Sequence, residues 1–290
     1  MMGEAGYGVK IRDVLREQDF HFKKRWGQNF IFDLNLLRRI VDQAGIGAGD
    51  RVVEIGPGAG TLTRELLEKG AQVLAIEIDP ALLPVLEKVL EGTKGIVVQG
   101  DALKMNFDEM VDAYGLEHPY KVVANLPYYI TTPLIMSLLE NRYHIEDIVV
   151  MVQKEVAERL TASPGTKEYG AVTLAVEYYA EAEILFPISR QLFRPIPEVD
   201  SALIRLKPRE TPIIQVCDGE LLFKIIKAAF GQRRKTLVNS LAAIEVGLVK
   251  TKIVEVLAKG GIDQRTRGEA LSLAQFAQLT NLWAKAMREE

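Results

Sequence analysis

Asn125 closes an apolar run, Val122, Val123 and Ala124, and is followed by Leu126, Pro127, Tyr128 and Tyr129. Pro127 removes a backbone donor and fixes the local turn, so the Asn125 side-chain oxygen and the Leu126 carbonyl can point to one spot as acceptors. An exocyclic aromatic amine such as adenine N6 presents N–H donors that match such a pair. Its lone pair is conjugated into the ring and is a poor nucleophile. Acceptors on both N–H groups favour a pyramidal nitrogen whose lone pair can meet a methyl donor. Tyr128 adds a flat face on which the base can stack, worth about 1–3 kcal/mol, which helps offset the few kcal/mol of unstacking a target base. No strong general base is needed, because water can take the amine proton; catalysis then rests on alignment and electrostatic positioning. The bland reading, a loop with core tyrosines, leaves the neighbouring polar tips without a purpose.

Those tips come at the ends of other apolar runs. Gly56, Gly58 and Gly60 follow "VVEI" directly, where glycine lets the chain turn sharply and approach a ligand. The spacing is GxGxG, not the GxGxxG of dinucleotide folds, and Pro57 stiffens the loop; alone it leaves a tight structural turn and a nicotinamide-dinucleotide site open as alternatives. Glu77 ends "AIE", the position from which an acidic side chain holds a ribose diol. Asp101 follows "VVQG" and either caps a helix starting at Ala102 or accepts from an adenine amino group. Together with Asn125 these features fit S-adenosylmethionine better than a nicotinamide dinucleotide. His21, His118 and His144 form no recognisable constellation in the sequence, and no metal is expected.

The elements that must carry these residues are short Val/Ile-rich runs: 51–55, 72–78, 95–99, 121–126 and 147–153. Between them lie 61–70, 80–90 and 132–142, with apolar residues at helical spacing. Pro84 places a helix start or a bend inside the second. This alternation predicts right-handed βαβ units and a mostly parallel, Rossmann-like α/β sheet. The runs at 182–186 and 201–207 lack a long helix between them and predict an antiparallel end to the sheet. Beyond Pro208 every pattern is helical. The expected domains are therefore 1–210, carrying the cofactor, and 211–290, a small all-helical C-terminal domain. Basic clusters occur at Lys23, Lys24 and Arg25 and at Arg233, Arg234 and Lys235, each of which is also compatible with an ordinary solvated surface.

The 290 residues are 48% hydrophobic with a net charge of −3 and a single cysteine, Cys217. That excludes a disulfide framework and a cysteine-rich zinc site, and argues against indiscriminate coating of nucleic acid. No run approaches the roughly 18 apolar residues of a membrane span. The polar N-terminus lacks a signal-peptide pattern, so a cytoplasmic location is expected.

With these residues in place, the sequence resembles the rRNA adenine N6-dimethyltransferase family, the kasugamycin-resistance type that modifies the small ribosomal subunit. The likeness runs from about residue 20 to 282 through "KKRWGQNFIFD", "VVEIGPGAGTLT", "VLAIEID", "QGDAL", "VVANLPYYITTPL", "FRPIPEVDSALIRL", "FGQRRKTLVNSL" and "RGEALSLAQF". The resemblance implies that Asn29 and Ile31 join Gly56, Glu77, Asp101 and Asn125 around S-adenosylmethionine. It implies that Phe193 sandwiches the target base opposite Tyr128, beside the catalytic Asn125 and Leu126. Its substrate would be a pair of adjacent adenosines in the 3′-terminal hairpin loop of small-subunit rRNA, within an immature 30S particle. The two basic clusters would grip rRNA phosphates, Gln232 and Lys235 sharing a helix face. Ile31 stands where the family more often has Leu, and Trp26 where a smaller apolar residue is usual. The rivals are the macrolide-resistance type, which methylates large-subunit rRNA, and an assembly factor without turnover. Nothing in the sequence calls for a dimer, and a monomer is expected.

Overall fold

The computed structural model describes residues 6–22, 27–232, 234–243 and 248–289. Its strands are β1 (Phe30–Ile31), β2 (Arg51–Ile55), β3 (Gln72–Glu77), β4 (Ile96–Gln99), β5 (Tyr120–Asn125), β6 (Ile145–Gln153), β7 (Ala180–Ile188), β8 (Phe193–Arg194) and β9 (Ser201–Pro208). Seven of them build one sheet in the order β4-β3-β2-β5-β6-β9-β7. β4, β3, β2, β5 and β6 run parallel, and β9 joins β6 antiparallel. The expected α/β sheet with an antiparallel end is present. Parallel neighbours need crossovers, and Thr61–Glu68, Leu83–Val89, Phe107–Ala113 and Thr131–Glu140 supply them. Pro84 sits in the first turn of its helix, after a short 3₁₀ turn capped by Asp79, where its missing N–H costs nothing.

One sheet face is apolar because alternate strand residues point the same way. Val52, Val73, Val123, Val149 and Leu203 share a buried cluster with Leu37 and Ile40 of helix Leu34–Gln43 and with Leu62 and Leu66. The chain winds outward from β2 to β4 and then returns to place β5 on the other side of β2. The carboxyl ends of β2 and β5 thus flank the crevice where open α/β sheets bind ligands. β1 and β8, two residues each, pair antiparallel with Ile31 opposite Phe193, a pairing too short to leave a periodic signal.

The chain divides into two compact units, one ending its first pass at Ala157 and resuming at Ala182–Pro208, the other comprising Glu158–Glu181 and Arg209–Glu290. The second unit joins Arg209–Glu290 to an excursion from the middle of the chain, Glu158–Glu181. Packing explains this: Tyr169, Leu174 and Tyr178 are buried with Leu222, Ile225, Phe276 and Trp283, and the Tyr169 hydroxyl donates to Leu271 O at 2.9 Å. The remaining helices of that unit include Gly219–Gly231, Lys250–Lys259 and Leu273–Arg288. Among the described residues no helix is long and apolar enough to cross a membrane.

Candidate active site

The glycine loop and Glu77 form one interlocked piece. Gly56 and Gly58 have φ of +69° and +57°, a region that other residues adopt at a cost. Gly58 N–H donates to Glu77 Oε2 at 3.1 Å, and Asp79 N–H donates to Oε1 at 2.8 Å. Glu77 is only 4% exposed. Burial pushes its carboxyl up to about 7 against the pull of those donors, and the charge of Asp79 adds to the rise. Glu54, one strand over, is buried with Oε2 lacking a hydrogen-bond partner. Burial raises it to about 8; nearby Thr63 opposes the rise and the Glu77 charge adds to it. A Cβ on Gly58 would meet the Phe30 ring at 2.8 Å, whereas one on Gly92, also at positive φ, would meet nothing. Gly92→Ala is therefore expected to cost about 1–2 kcal/mol from backbone strain alone, and Gly58→Ala more than that. Thermal unfolding of the two variants measures the difference.

At the end of β5, the Asn125 amide is pinned: Nδ2 donates to the Asn29 carbonyl at 2.7 Å. Because a carbonyl can only accept, the nitrogen must face Asn29, and Oδ1 is left to accept from something else. Asn29 is itself held by an Nδ2 bond to Gly27 O at 3.1 Å. Pro127 O accepts from Ile130 N at 3.2 Å and from Thr131 Oγ1 at 3.1 Å, so the turn after Asn125 leads directly into helix Thr131–Glu140. The Tyr128 hydroxyl is 2.9 Å from Ser201 Oγ, which fixes the ring. Burial pushes the Tyr128 phenol up from its usual value, so it stays neutral. Asn29, Gly56, Glu77, Asn125, Leu126 and Tyr128 all line one cavity.

An adjoining cavity of about 240 Å³ shares Gly56, Ile78 and Pro127 with the first and adds Asp101, Leu103 and Tyr129. Asp101 Oδ1 caps Leu103 N at 3.1 Å, while Oδ2 lies 3.4 Å from the exposed Lys104 ammonium. The cap and the ligand reading are therefore compatible, since one oxygen holds the turn and the other faces outward. Apolar walls with one carboxylate at the rim fit a flat heterocycle carrying an amino group, and the buried Glu77 fits a diol next to it. These residues thus suit the nucleoside of S-adenosylmethionine. Tyr129, which the sequence left unassigned, is half exposed on this wall. Ile78 and Gln28 also line the site but escaped the sequence reading. Gln28 Nε2 bonds Asp79 Oδ2 at 2.8 Å, and its one cue was its place between Gly27 and Asn29.

Three expectations need correction or restriction. Phe193 is wholly buried among Ile31, Leu37, Met151 and Leu203, so in this conformation it offers no face to a base opposite Tyr128. Its pairing with Ile31 in the β1–β8 ribbon holds it there. Ile31 lines a small cavity that also borders Glu54, Gly58 and Asn125. Gln232 ends helix Gly219–Gly231, and Lys235 N bonds Gln232 O at 2.9 Å in a turn ahead of the next helix, Leu237–Leu241. Gln232 and Lys235 thus share no helix face; Arg234 and Lys235 are exposed on that turn. Lys23, Lys24, Arg25, Trp26 and Arg233 lie outside the described residues.

The chain matches the family model described as ribosomal RNA adenine dimethylase over residues 19–285. It is 46% identical over 273 residues to the ribosomal RNA small subunit methyltransferase A of Moorella thermoacetica, covering 92% of this chain and 94% of the relative. It is 45% identical to the protein of the same name from Pelotomaculum thermopropionicum, covering 95% and 96%. Among solved structures it resembles a dimethyladenosine transferase from Plasmodium falciparum, with TM-score 0.73, 27% identity, and 88% and 97% of the two chains covered. The 23S rRNA methyltransferase ErmE is also similar, with TM-score 0.66, 27% identity, and 88% and 100% covered. A match over nearly the whole chain, joined to an asparagine pinned to Asn29 O in a cavity it shares with the glycine loop and Tyr128, places this protein in the ribosomal RNA adenine dimethylase family.

Proposed function

We propose that this protein transfers methyl groups from S-adenosylmethionine to the N6 amines of two adjacent adenosines in the 3′-terminal hairpin loop of small-subunit (16S) rRNA. It does so as a cytoplasmic monomer acting on an immature 30S particle late in assembly. The observation that carries the chemistry is the pinned Asn125 amide, whose nitrogen is committed to Asn29 O and whose oxygen is left to accept from a substrate amine. S-adenosylmethionine, held by Gly56, Glu77 and Asp101, would supply the electrophilic methyl group. Asn125 Oδ1 and the Leu126 carbonyl accept the amine N–H groups, which orients the nitrogen lone pair and stabilises the positive charge that grows on it. Tyr128 holds the base plane, and Glu77 and Asp101 hold the nucleoside. Lys23, Lys24, Arg25, Arg233, Arg234 and Lys235 contribute phosphate contacts. The choice of subunit is supported by the 45–46% identity to small-subunit enzymes over most of the chain, against 27% to the 23S enzyme.

Incubating the purified protein with tritiated S-adenosylmethionine and undermethylated small subunits tests this reading. Label in 16S rRNA is expected; label confined to the large subunit selects the macrolide-resistance type, and no label at all leaves a non-catalytic factor. Tyr128 separates ring from hydroxyl. Tyr128→Phe loses only the Ser201 bond, and its kcat/KM is expected to fall by about 0.5–1.5 kcal/mol equivalent. Tyr128→Ala loses the stacking face too and should fall about 1–3 kcal/mol further.

A further inference from the structure

Two of the chain's histidines meet a carboxylate at the end of the sheet opposite Asn125. β5 and β6 are parallel, and their first residues, Tyr120 and Ile145, are register partners. His118 and His144 each lie just ahead of these starts, so strand pairing brings them together. Helix Phe107–Ala113 supplies Asp108 and Asp112 to the same end. Asn125 lies at the far end of β5, roughly 16 Å away at ~3.3 Å per residue.

One donor atom from each of Asp108, His118 and His144 lies within 4.8 Å of the others. His144 Nδ1 is 2.8 Å from Asp108 Oδ2. The two imidazole centroids are 4.9 Å apart. His118 Nε2 is 2.9 Å from Asp112 Oδ1, which places the hydrogen of the neutral ring on Nε2. Its Nδ1 therefore carries a lone pair, and this atom is buried without a hydrogen-bond partner. It sits 3.9 Å from Asp108 Oδ1. A buried acceptor next to a carboxylate oxygen is unfavourable unless a proton or a metal cation joins them. The surrounding bonds are those that orient ligands from behind: Asp112 holds the far nitrogen of His118, and the Tyr120 hydroxyl donates to Asp108 Oδ1 at 2.9 Å.

We propose that Asp108, His118 and His144 bind a divalent transition-metal ion of the zinc class through one carboxylate oxygen and the Nδ1 atoms of both imidazoles. Nitrogen and oxygen ligands of this type suit Zn²⁺, and three protein ligands leave a position for water. Bonds of about 2.0–2.1 Å set tetrahedral donors about 3.3 Å apart, so His118 Nδ1 and Asp108 Oδ1, now 3.9 Å apart, need to close by about 0.6 Å, and no donor pair by more than about 1.5 Å. At His144 the ring hydrogen now lent to Asp108 passes to Nε2 as the metal takes Nδ1, with no net loss of a proton. That ring is 70% exposed and free to adjust. The ion would tie the helix to the starts of β5 and β6, a structural role remote from the methyl-transfer site.

The full-length protein, stripped with a chelator, is titrated with Zn²⁺ by calorimetry and with Co²⁺ by visible absorption. Saturable binding, the intense bands of low-coordinate Co²⁺ and a Zn²⁺-dependent rise in Tm are expected. Asp112→Asn should weaken the affinity about 10- to 100-fold, and His144→Ala at least as much, while His21→Ala leaves it unchanged. Failure of the wild-type protein to bind Zn²⁺ overturns the proposal. So does an unaltered affinity in His144→Ala, which would reduce the cluster to an ion-pair network.

Discussion

Asn125→Ala is expected to lower kcat for methyl transfer by about 100- to 1000-fold, the range seen when a single positioned transition-state contact is removed. The amine gains positive charge as the carbon–nitrogen bond forms, so an acceptor on its N–H is worth more in the transition state than in the ground state. The cofactor should notice less. Its cavity also rests on Gly56, Glu77, Ile78 and Asp101, so the change in Kd should stay below about tenfold, the scale of one net hydrogen bond. Asn125→Asp tests the pin itself. It keeps an acceptor but cannot donate to Asn29 O, and two facing oxygens repel where a 2.7 Å bond stood. Its kcat is therefore expected to fall at least as far as that of the alanine variant. Single-turnover methylation of small subunits, with cofactor affinity measured separately, distinguishes the effects; wild-type kcat in Asn125→Ala would remove the residue from the mechanism.

What the sequence made legible is the part governed by local rules. β2 begins and ends where "RVVEI" does, because a Val/Ile run bounded by a glycine loop has few other conformations. The ligand edge followed too, since parallel strands all deliver their last residues to the same side. What escaped depends on contacts between distant segments. Phe193 looked like a slot wall from its motif, but its burial follows from pairing with Ile31, far back in the chain. Helical periodicity ran straight through "FGQRRKTL", although Gly231 ends one helix and Leu237 starts another. The excursion at 158–181 gave no cue because its Tyr169, Leu174 and Tyr178 find partners in the C-terminal helices. His118 and His144 were uninterpretable for a related reason: the strands were evident, but the β5–β6 register that joins the histidines was not.

The acid–base behaviour of the site follows from Glu77 and Glu54. Each carboxyl is raised in the folded protein from an ordinary value of 4.5, to about 7 for Glu77 and about 8 for Glu54, chiefly by burial. The folded state therefore binds more protons than the unfolded state between these values, and stability falls as pH rises there. Their contribution is fully present below pH 4.5 and is lost as pH climbs through about 7 and then about 8. The Tm of the cofactor-free protein is expected to decline across that window, and Glu54→Gln should flatten the upper part of the decline. Cofactor affinity should move the other way. A ribose diol donates its hydroxyls, so binding selects the ionised Glu77, and the Kd for S-adenosylmethionine should tighten about tenfold from one pH unit below its pKa to one above. Glu77→Gln removes this dependence and also turns an amide N–H toward the Gly58 or Asp79 donor, since both oxygens already accept from backbone. Weak binding that no longer varies with pH is therefore the expected signature, read by calorimetry at several pH values. A variant that kept the wild-type pH slope would show that another group sets it.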